Sequence, residues 1–335
     1  MRPSEILLWP LTLPYGAVTR LRARAYHVGI LRPRRLPGTV ISIGNLTTGG
    51  TGKTPLVLWI AERLVREGKR AGILSRGYRG ETSAGGSTSD EVQLLRARLG
   101  DCVAFGIGAD RFARGRELAA QGVKWFVLDD GFQHLQLARD VDIVLLDATN
   151  PFGGGHLLPA GRLREDLGAL ARADIVVITR TSHAPALEGA MRRHSAAHIF
   201  YARTRLDSIR VLNREYPGAA DESAHARKFF AFCGIGNPSA FLADLREWDC
   251  QVAGHRFFPD HHRFAERDME ALRQAARDAG ADSLLCTEKD VFNLPSAASH
   301  GLDLRYCRIS MHVDREEEFW GTVKAVAESR SRTPR

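Results

Sequence analysis

Residues 47–54 read Thr-Thr-Gly-Gly-Thr-Gly-Lys-Thr, the composition of a phosphate cradle. Glycines let backbone N–H groups approach an anion closely, a lysine reaches β- and γ-phosphates, and a following hydroxyl suits magnesium. Thr47, Thr48, Gly49, Gly50, Thr51, Gly52, Lys53 and Thr54 therefore predict an ATP site, with Thr54 as a metal ligand. One position departs from the G-x-x-x-x-G-K-[ST] pattern: residue 47 is Thr where glycine is usual, and Gly44 stands three residues earlier. The residue before the glycine pair is Thr48, where partitioning ATPases carry a signature lysine, which argues against a dimerising ATPase switch.

Phosphoryl transfer also calls for a carboxylate at a second strand end to hold magnesium, directly or through water. The segment KWFVLDDGFQH, residues 124–134, supplies Asp129 and Asp130 after an apolar run, although Asp-Gly is also common turn chemistry. Transfer to an alcohol further needs a group that takes the hydroxyl proton. Asp90 follows the polar stretch GETSAGGSTS, residues 80–89, and is one candidate; the competing reading is a helix start, since Thr88-x-x-Glu91 fits a capping box. RFFPDHHRF, residues 256–264, places Asp260, His261 and His262 together. The missing helical i,i+4 spacing and the lack of a cysteine argue against a zinc site; a histidine that orients or charges a catalytic aspartate is the stronger functional reading, and a surface-loop histidine is the competing one.

The elements that must carry these residues are readable. TVISIGN, residues 39–45, is a buried-strand pattern, and Pro55 to Glu67 places Leu56, Ile60 and Leu64 at helical spacing before Gly68. GILS (72–75), VDIVLLD (141–147) and ADIVVIT (173–179) repeat the strand pattern between helical stretches. The expected fold class is α/β, a P-loop NTPase-type doubly wound, mostly parallel sheet. RKFFAFCGIGNP, residues 227–238, opens a second, smaller α/β domain; its Gly-x-Gly lacks the third glycine of a nucleotide fingerprint. The expected domains are an N-terminal segment 1–38, a kinase domain 39–204 and a smaller domain 205–335 that closes the active site, joined by a two-strand linker near 198–212.

The 335 residues are 44% hydrophobic and 26% charged, enough for a sizeable core, and the five cysteines form no CxxC pair. The net charge of +8 is concentrated: residues 1–40 carry seven arginines against Glu5 alone. This argues for a local basic patch facing an anionic surface and against a diffuse nucleic-acid interface. The uncharged run Ile6 to Thr19 is short for a spanning helix and contains Pro10 and Pro14. A signal peptide competes, with Ala23-Arg24-Ala25 as a cleavage-like site, but would strand an ATP-using domain outside the cytosol. A helix from Val18 puts Val18, Leu21, Ala25 and Val28 on one stripe and Arg20, Arg24 and His27 opposite, a basic amphipathic helix suited to a membrane interface.

VISIGNLTTGGTGKTP, LSRGY, SDE, LDDGFQH, PFGGGHLLPAGRLRE, FCGIGNP, FPDHH and TEKD occur in this order between Val40 and Asp290. Together they resemble the tetraacyldisaccharide 4'-kinases of lipid A biosynthesis, in which Thr at the position of Thr47 is normal. The resemblance implies transfer of the ATP γ-phosphate to the 4'-hydroxyl of an acylated disaccharide 1-phosphate, giving the lipid IVA precursor. It makes Asp90 the general base, His261 its partner and Lys53 the phosphate lysine, with Asp129, Asp130 and Glu165 beside Mg2+. It also assigns Arg76, Gly77, Tyr78, Glu91 and Gln133 to the substrate. The implied setting is the cytoplasmic face of the inner membrane, peripheral or monotopic, with neither nucleic acid nor an obligate protein partner. His156 and Arg162 depart from the family's usual residues. The alternatives are a P-loop kinase of a soluble small molecule and a membrane-bound ATPase switch.

Overall fold

A computed structural model describes residues 8–77, 89–212, 216–295 and 303–331. The chain forms two compact units: residues 1–82, 101–203 and 311–335 make the first, and residues 83–100 with 204–310 the second.

The first unit begins with helix α1 (Thr12–His27), followed by β1 (Thr39–Asn45), α2 (Lys53–Arg66) and β2 (Ala71–Ser75). Helix α3 (Asp90–Leu99) belongs to the second unit, and the chain then returns through β3 (Val103–Ile107), α4 (Arg111–Ala120), β4 (Trp125–Asp129), β5 (Val141–Asp147), β6 (Ile175–Thr179), α5 (Pro185–Arg192) and β7 (His198–Val211). The strand order in this unit is β3-β2-β4-β1-β5-β6-β7, every pairing parallel. β1 is flanked by β4 on one side and β5 on the other, so ligand chemistry is expected at the carboxyl end of β1. Leu56, Ile60 and Leu64 of α2 are fully buried, as their spacing predicts. Gly68 ends that helix region at φ 69°, a left-handed conformation that a side chain would disfavour.

The second unit continues with β8 (Lys228–Cys233), α6 (Pro238–Glu247), β9 (Gln251–Phe257), α7 (Glu266–Asp278), β10 (Ser283–Thr287), the single turn α8 (Glu288–Val291) and β11 (Leu304–Val313). Its order is β11-β10-β8-β9, again parallel. Helix α9 (Glu316–Ser331) returns to the first unit.

These boundaries differ from the sequence reading in four places. Residues 198–211 form one continuous strand and not two, because no Gly, Pro or Asn interrupts the alternation. Residues 311–335 leave the second unit: Phe319 and Trp320 are buried and pack edge-on against Trp59 at 5.3 and 6.1 Å, and Trp320 Nε1 donates to Glu67 at 2.6 Å. Residues 83–100, expected in the kinase domain, belong to the second unit, where Arg98 forms a buried ion pair with Glu288 at 3.0 Å. The amphipathic helix starts at Thr12, earlier than Val18; Pro14 sits in its first turn, where the missing N–H has no helical partner to lose.

Helix α1 rests on the first unit through its small and polar side. Gly16 is buried, and a Cβ there would lie 2.9 Å from Leu157 Cδ1. Tyr15 donates to the Arg164 carbonyl at 2.9 Å, and Arg20 pairs with Asp166 at 2.6 Å. Its apolar residues point away from this contact: Leu13, Val18 and Leu21 are 67%, 65% and 71% exposed. Among the described residues, the exposed large apolar side chains lie between Leu8 and Leu31, with Phe257 the exception. No described helix is long and apolar enough to cross a membrane.

Candidate functional site

The phosphate loop leaves β1 at Asn45, and its first residues are held in extended pairing. Thr48 N–H donates to the Arg162 carbonyl at 2.8 Å, Arg164 N–H donates to the Leu46 carbonyl at 2.8 Å, and Thr47 bridges Leu163. An extended position needs no glycine, which explains Thr47 in place of the usual Gly. Gly44 has a different duty: a Cβ there would fall 2.6 Å from that of Phe132. Arg162 Nε donates to the Thr48 carbonyl at 3.1 Å, so this departing residue buttresses the loop. Gly52 caps α2 at φ 87°, leaving Lys53 and Thr54 in the first helical turn, two residues earlier than the periodicity suggests.

Asn45 lies beneath the loop. Its Nδ2 donates to Thr51 Oγ1 at 3.1 Å, and its Oδ1 accepts from Lys53 Nζ at 3.2 Å. Lys53 Nζ is also 3.6 Å from Asp130 Oδ1. Arg164 Nη1 donates to both Asp130 oxygens at 2.8 and 2.7 Å, and buried Arg111 donates to the Asp130 carbonyl at 3.2 Å. Burial would push the Asp130 carboxyl up, but the charges of Lys53 and Arg164 outweigh it and hold the group below the usual carboxylate range. Asp129, in register with Ile43 of β1, accepts from Ser75 Oγ at 3.2 Å.

Several residues taken from the family pattern are placed differently from one another. Glu165 is buried and pairs with Arg172, while its neighbour Arg164 faces Asp130. The chain bends at both residues, and their side chains reach different partners. Gln133 donates to the Asn45 carbonyl at 3.0 Å and braces the end of β1. Arg76 and Gly77 follow β2 directly, Gly77 at φ 69°; Tyr78 lies outside the described residues. Asn45, Ser75, Arg111 and Arg164 were missed by sequence reasoning. Arg164 has a signal in the motif GRLRE, where the family resemblance points to its acidic neighbour instead.

The second cluster lies wholly in the second unit. Asp90 opens α3, capped by Ser89, whose side chain accepts from Val92 N–H at 3.3 Å; the cap is thus one residue later than the Thr88 expected. Asp90 is 4% exposed and fully engaged. It accepts from Glu91 N–H at 2.9 Å, Asn293 Nδ2 at 3.0 Å and His261 Nδ1, which is 3.1 and 3.0 Å from its two oxygens. An ionised carboxylate only accepts, so Nδ1 carries the hydrogen and neutral His261 keeps Nε2 as an acceptor. Burial would raise the Asp90 carboxyl; the His261 hydrogen bond and the Lys289 charge lower it further than burial raises it. His261 moves the other way, raised mainly by its bond to Asp90 against burial and Lys289. Glu91, a predicted substrate residue, lies 3.5 Å from Lys289. His262 is occupied elsewhere, 3.1 Å from Asp268 and stacked on Phe258 at 4.7 Å. No group of three His, Cys, Asp or Glu suited to a metal occurs among the described residues.

A phosphate loop on a parallel sheet, a strand-end aspartate pair and a buried Asp–His pair are the equipment of an ATP-dependent phosphotransferase. The family model described as Tetraacyldisaccharide-1-P 4'-kinase matches residues 4–328, and the chain belongs to that family. The tetraacyldisaccharide 4'-kinase of Geobacter metallireducens is 42% identical over 309 residues, covering 86% of this chain and 88% of its own. That of Chlorobium phaeovibrioides is 37% identical over 318 residues, covering 88% of each. A crystal structure of the "apo" form of LpxK from Aquifex aeolicus in complex with ATP is similar with TM-score 0.73 at 28% identity, covering 96% of this chain and 99% of that one.

Proposed function

We propose that this chain transfers the γ-phosphoryl group of ATP to the 4'-hydroxyl of a tetraacylated disaccharide 1-phosphate. The observation that carries the reading, within the family match, is the Asp90–His261 pair: a buried carboxylate that accepts the Nδ1 hydrogen of a neutral imidazole, orients the ring and leaves its second nitrogen as an acceptor. The acceptor oxygen forms a new bond to the γ-phosphorus, the bond from phosphorus to the β–γ bridging oxygen breaks, ADP keeps that electron pair, and the hydroxyl proton passes to the pair.

Thr47 to Thr54 cradle the phosphates at the start of α2, where amides and the helix dipole favour anions. Lys53 serves the β- and γ-phosphates, and Asp130 holds Lys53 and Arg164 ready. The donors present fit magnesium: the Thr54 hydroxyl and the Asp129 carboxylate are hard oxygen ligands, and this ion keeps its remaining positions for water and phosphate oxygens. Magnesium bound there neutralises charge on the phosphates. Arg76, Gly77, Tyr78, Glu91 and Gln133 are the substrate-side residues of this reading.

The acceptor is a lipid, and the N-terminal segment supports action at an anionic bilayer surface on the cytoplasmic face of the inner membrane. Trp9 and Leu11 before helix α1, and Leu13, Val18 and Leu21 on it, present apolar area outward, and the helix also carries exposed Arg22 and Arg24. Such a helix lies in the interface plane with its arginines at the headgroups.

The test follows label from ATP into the disaccharide lipid with the pure protein, magnesium and detergent; no transfer sinks the proposal. A soluble acceptor predicts unchanged activity after removal of residues 1–30. Leu13→Glu with Leu21→Glu is expected to weaken sedimentation with anionic vesicles while leaving turnover in detergent intact.

A further inference from the structure

Three carboxylates from two distant stretches of chain converge on one ammonium group. Lys289 Nζ lies 3.5 Å from Glu91 Oε1, 3.7 Å from Asp90 Oδ2 and 3.8 Å from Asp260 Oδ1. Asp260 Oδ2 is in turn 3.8 Å from His261 Nε2. The Lys289 side chain is 20% exposed and that of Asp90 2%, so solvent screens their attraction poorly.

The backbone that presents Lys289 is fixed to the one that presents His261. Thr287 and Asp290 form a capping box around α8, with the Thr287 hydroxyl donating to Asp290 at 2.6 Å. Asp290 accepts from Gly234 N–H at 2.8 Å, and the Gly234 carbonyl accepts from His261 N–H at 3.0 Å. Arg98 and Glu288 tie α3, which carries Asp90 and Glu91, to α8. This much support for a single lysine exceeds what a solvated surface cation needs.

We propose that Lys289 is a positioning residue for proton transfer: its ammonium gathers Asp90, Glu91 and Asp260 around His261 and keeps the Asp90–His261 pair in its proton-accepting form. The proposal rests on the reading of that pair as the acceptor of the hydroxyl proton. Without Lys289, the carboxylates of Asp90 and Asp260 beside His261 would lose the ammonium that offsets them, and their field stabilises the imidazolium, which accepts no proton. The other charged groups of the packed elements are engaged: Glu288 with Arg98, His262 with Asp268, and buried Asp290, pushed up to about 6 by burial, with Thr287 and Gly234. Burial and Lys289 are what oppose the rise of His261 caused by Asp90 and Asp260.

The experiment is the pH profile of kcat for label transfer from ATP to the acceptor lipid in detergent, in the full chain. In Lys289→Met the acid limb is expected to move to higher pH by on the order of one unit, with the alkaline plateau and the KM for ATP retained. Lys289→Arg restores the limb, and Asp260→Asn moves it to lower pH. An unmoved limb under a uniformly lowered plateau in Lys289→Met overturns the proposal by making the residue merely structural. Should thermal unfolding show that Lys289→Met does not fold, Asp260→Asn decides, and a limb that stays or rises there counts against the proposal. His261→Ala separates the two failures. A wild-type limb surviving in His261→Ala refutes the reading of the pair, whereas its loss there beside no shift in Lys289→Met refutes the role of Lys289 alone.

Discussion

Eight consecutive residues carry the phosphate loop, whereas the groups that meet at Asp90 come from residues 90–91, 260–261, 289 and 293. The loop works through backbone geometry, so its requirements fall on neighbours in sequence and appear as a motif. The Asp90 cluster works through side-chain charge, and charge can be delivered from any segment the fold brings near. The two also balance charge differently. Around Asp130 two cations, Lys53 and Arg164, attend one carboxylate; around Lys289 three carboxylates attend one ammonium and His261. Surplus positive charge suits a site for a polyanion, and surplus negative charge suits a site that must draw off a proton.

The comparison can be broken by substitution. Lys53→Ala, which removes a charge from where phosphate charge must be stabilised, is expected to lower kcat about 10³–10⁵-fold, read by single-turnover transfer. Asp90→Ala is expected to lower kcat about 10²–10⁴-fold with little change in the KM for ATP; wild-type turnover would remove Asp90 from the chemistry. Arg164→Ala frees Asp130 to turn towards Lys53 and is expected to cost about 10²-fold in kcat/KM for ATP, through misplacement of the lysine.

The smallest effect concerns stability and pH. The Asp90 carboxyl is depressed in the folded protein, so its contribution is present above the unfolded value of about 3.9 and is lost as pH falls through the folded pKa. His261 is raised, so its contribution is complete below about 6.5 and is lost as pH rises through the folded pKa. The stability difference between the wild type and His261→Gln, measured by urea unfolding, is therefore expected to be largest near pH 5 and to shrink above neutrality. A difference that grows with pH would mean that His261 is neutral and held by other contacts.

Much of this was legible beforehand. The strands at 39–45 and 141–147 stand as the sequence reading has them, whereas Asp90 and His261, which that reading pairs across two domains, pair inside the second unit. What was not legible shares a cause. Arg164 and Glu165 are adjacent charges, and only the course of the backbone through this bend decides which one faces Asp130. Lys289 sits in a visible TEKD motif, yet nothing local says that its ammonium meets residues roughly 30 and 200 positions away. The path of residues 83–100 was misread because a βα segment is expected to stay with its own sheet, and here buried pairing of Arg98 with Glu288 outweighs that tendency.

That excursion of α3 also sets a schedule for the ribosome. Asp90 and Arg98 leave the synthesis machinery well before their partners, with Asn293 trailing Asp90 by 203 residues and Glu288 trailing Arg98 by 190. At about 5–20 residues per second, this means roughly 10–40 s during which a carboxylate and a guanidinium destined for burial have no native partner. The phosphate loop, complete once the strand-end aspartates and residues 162–164 emerge, can settle first. The proton-handling cluster is a late product of translation, and the last of its partners to arrive is the one on Asp90 itself.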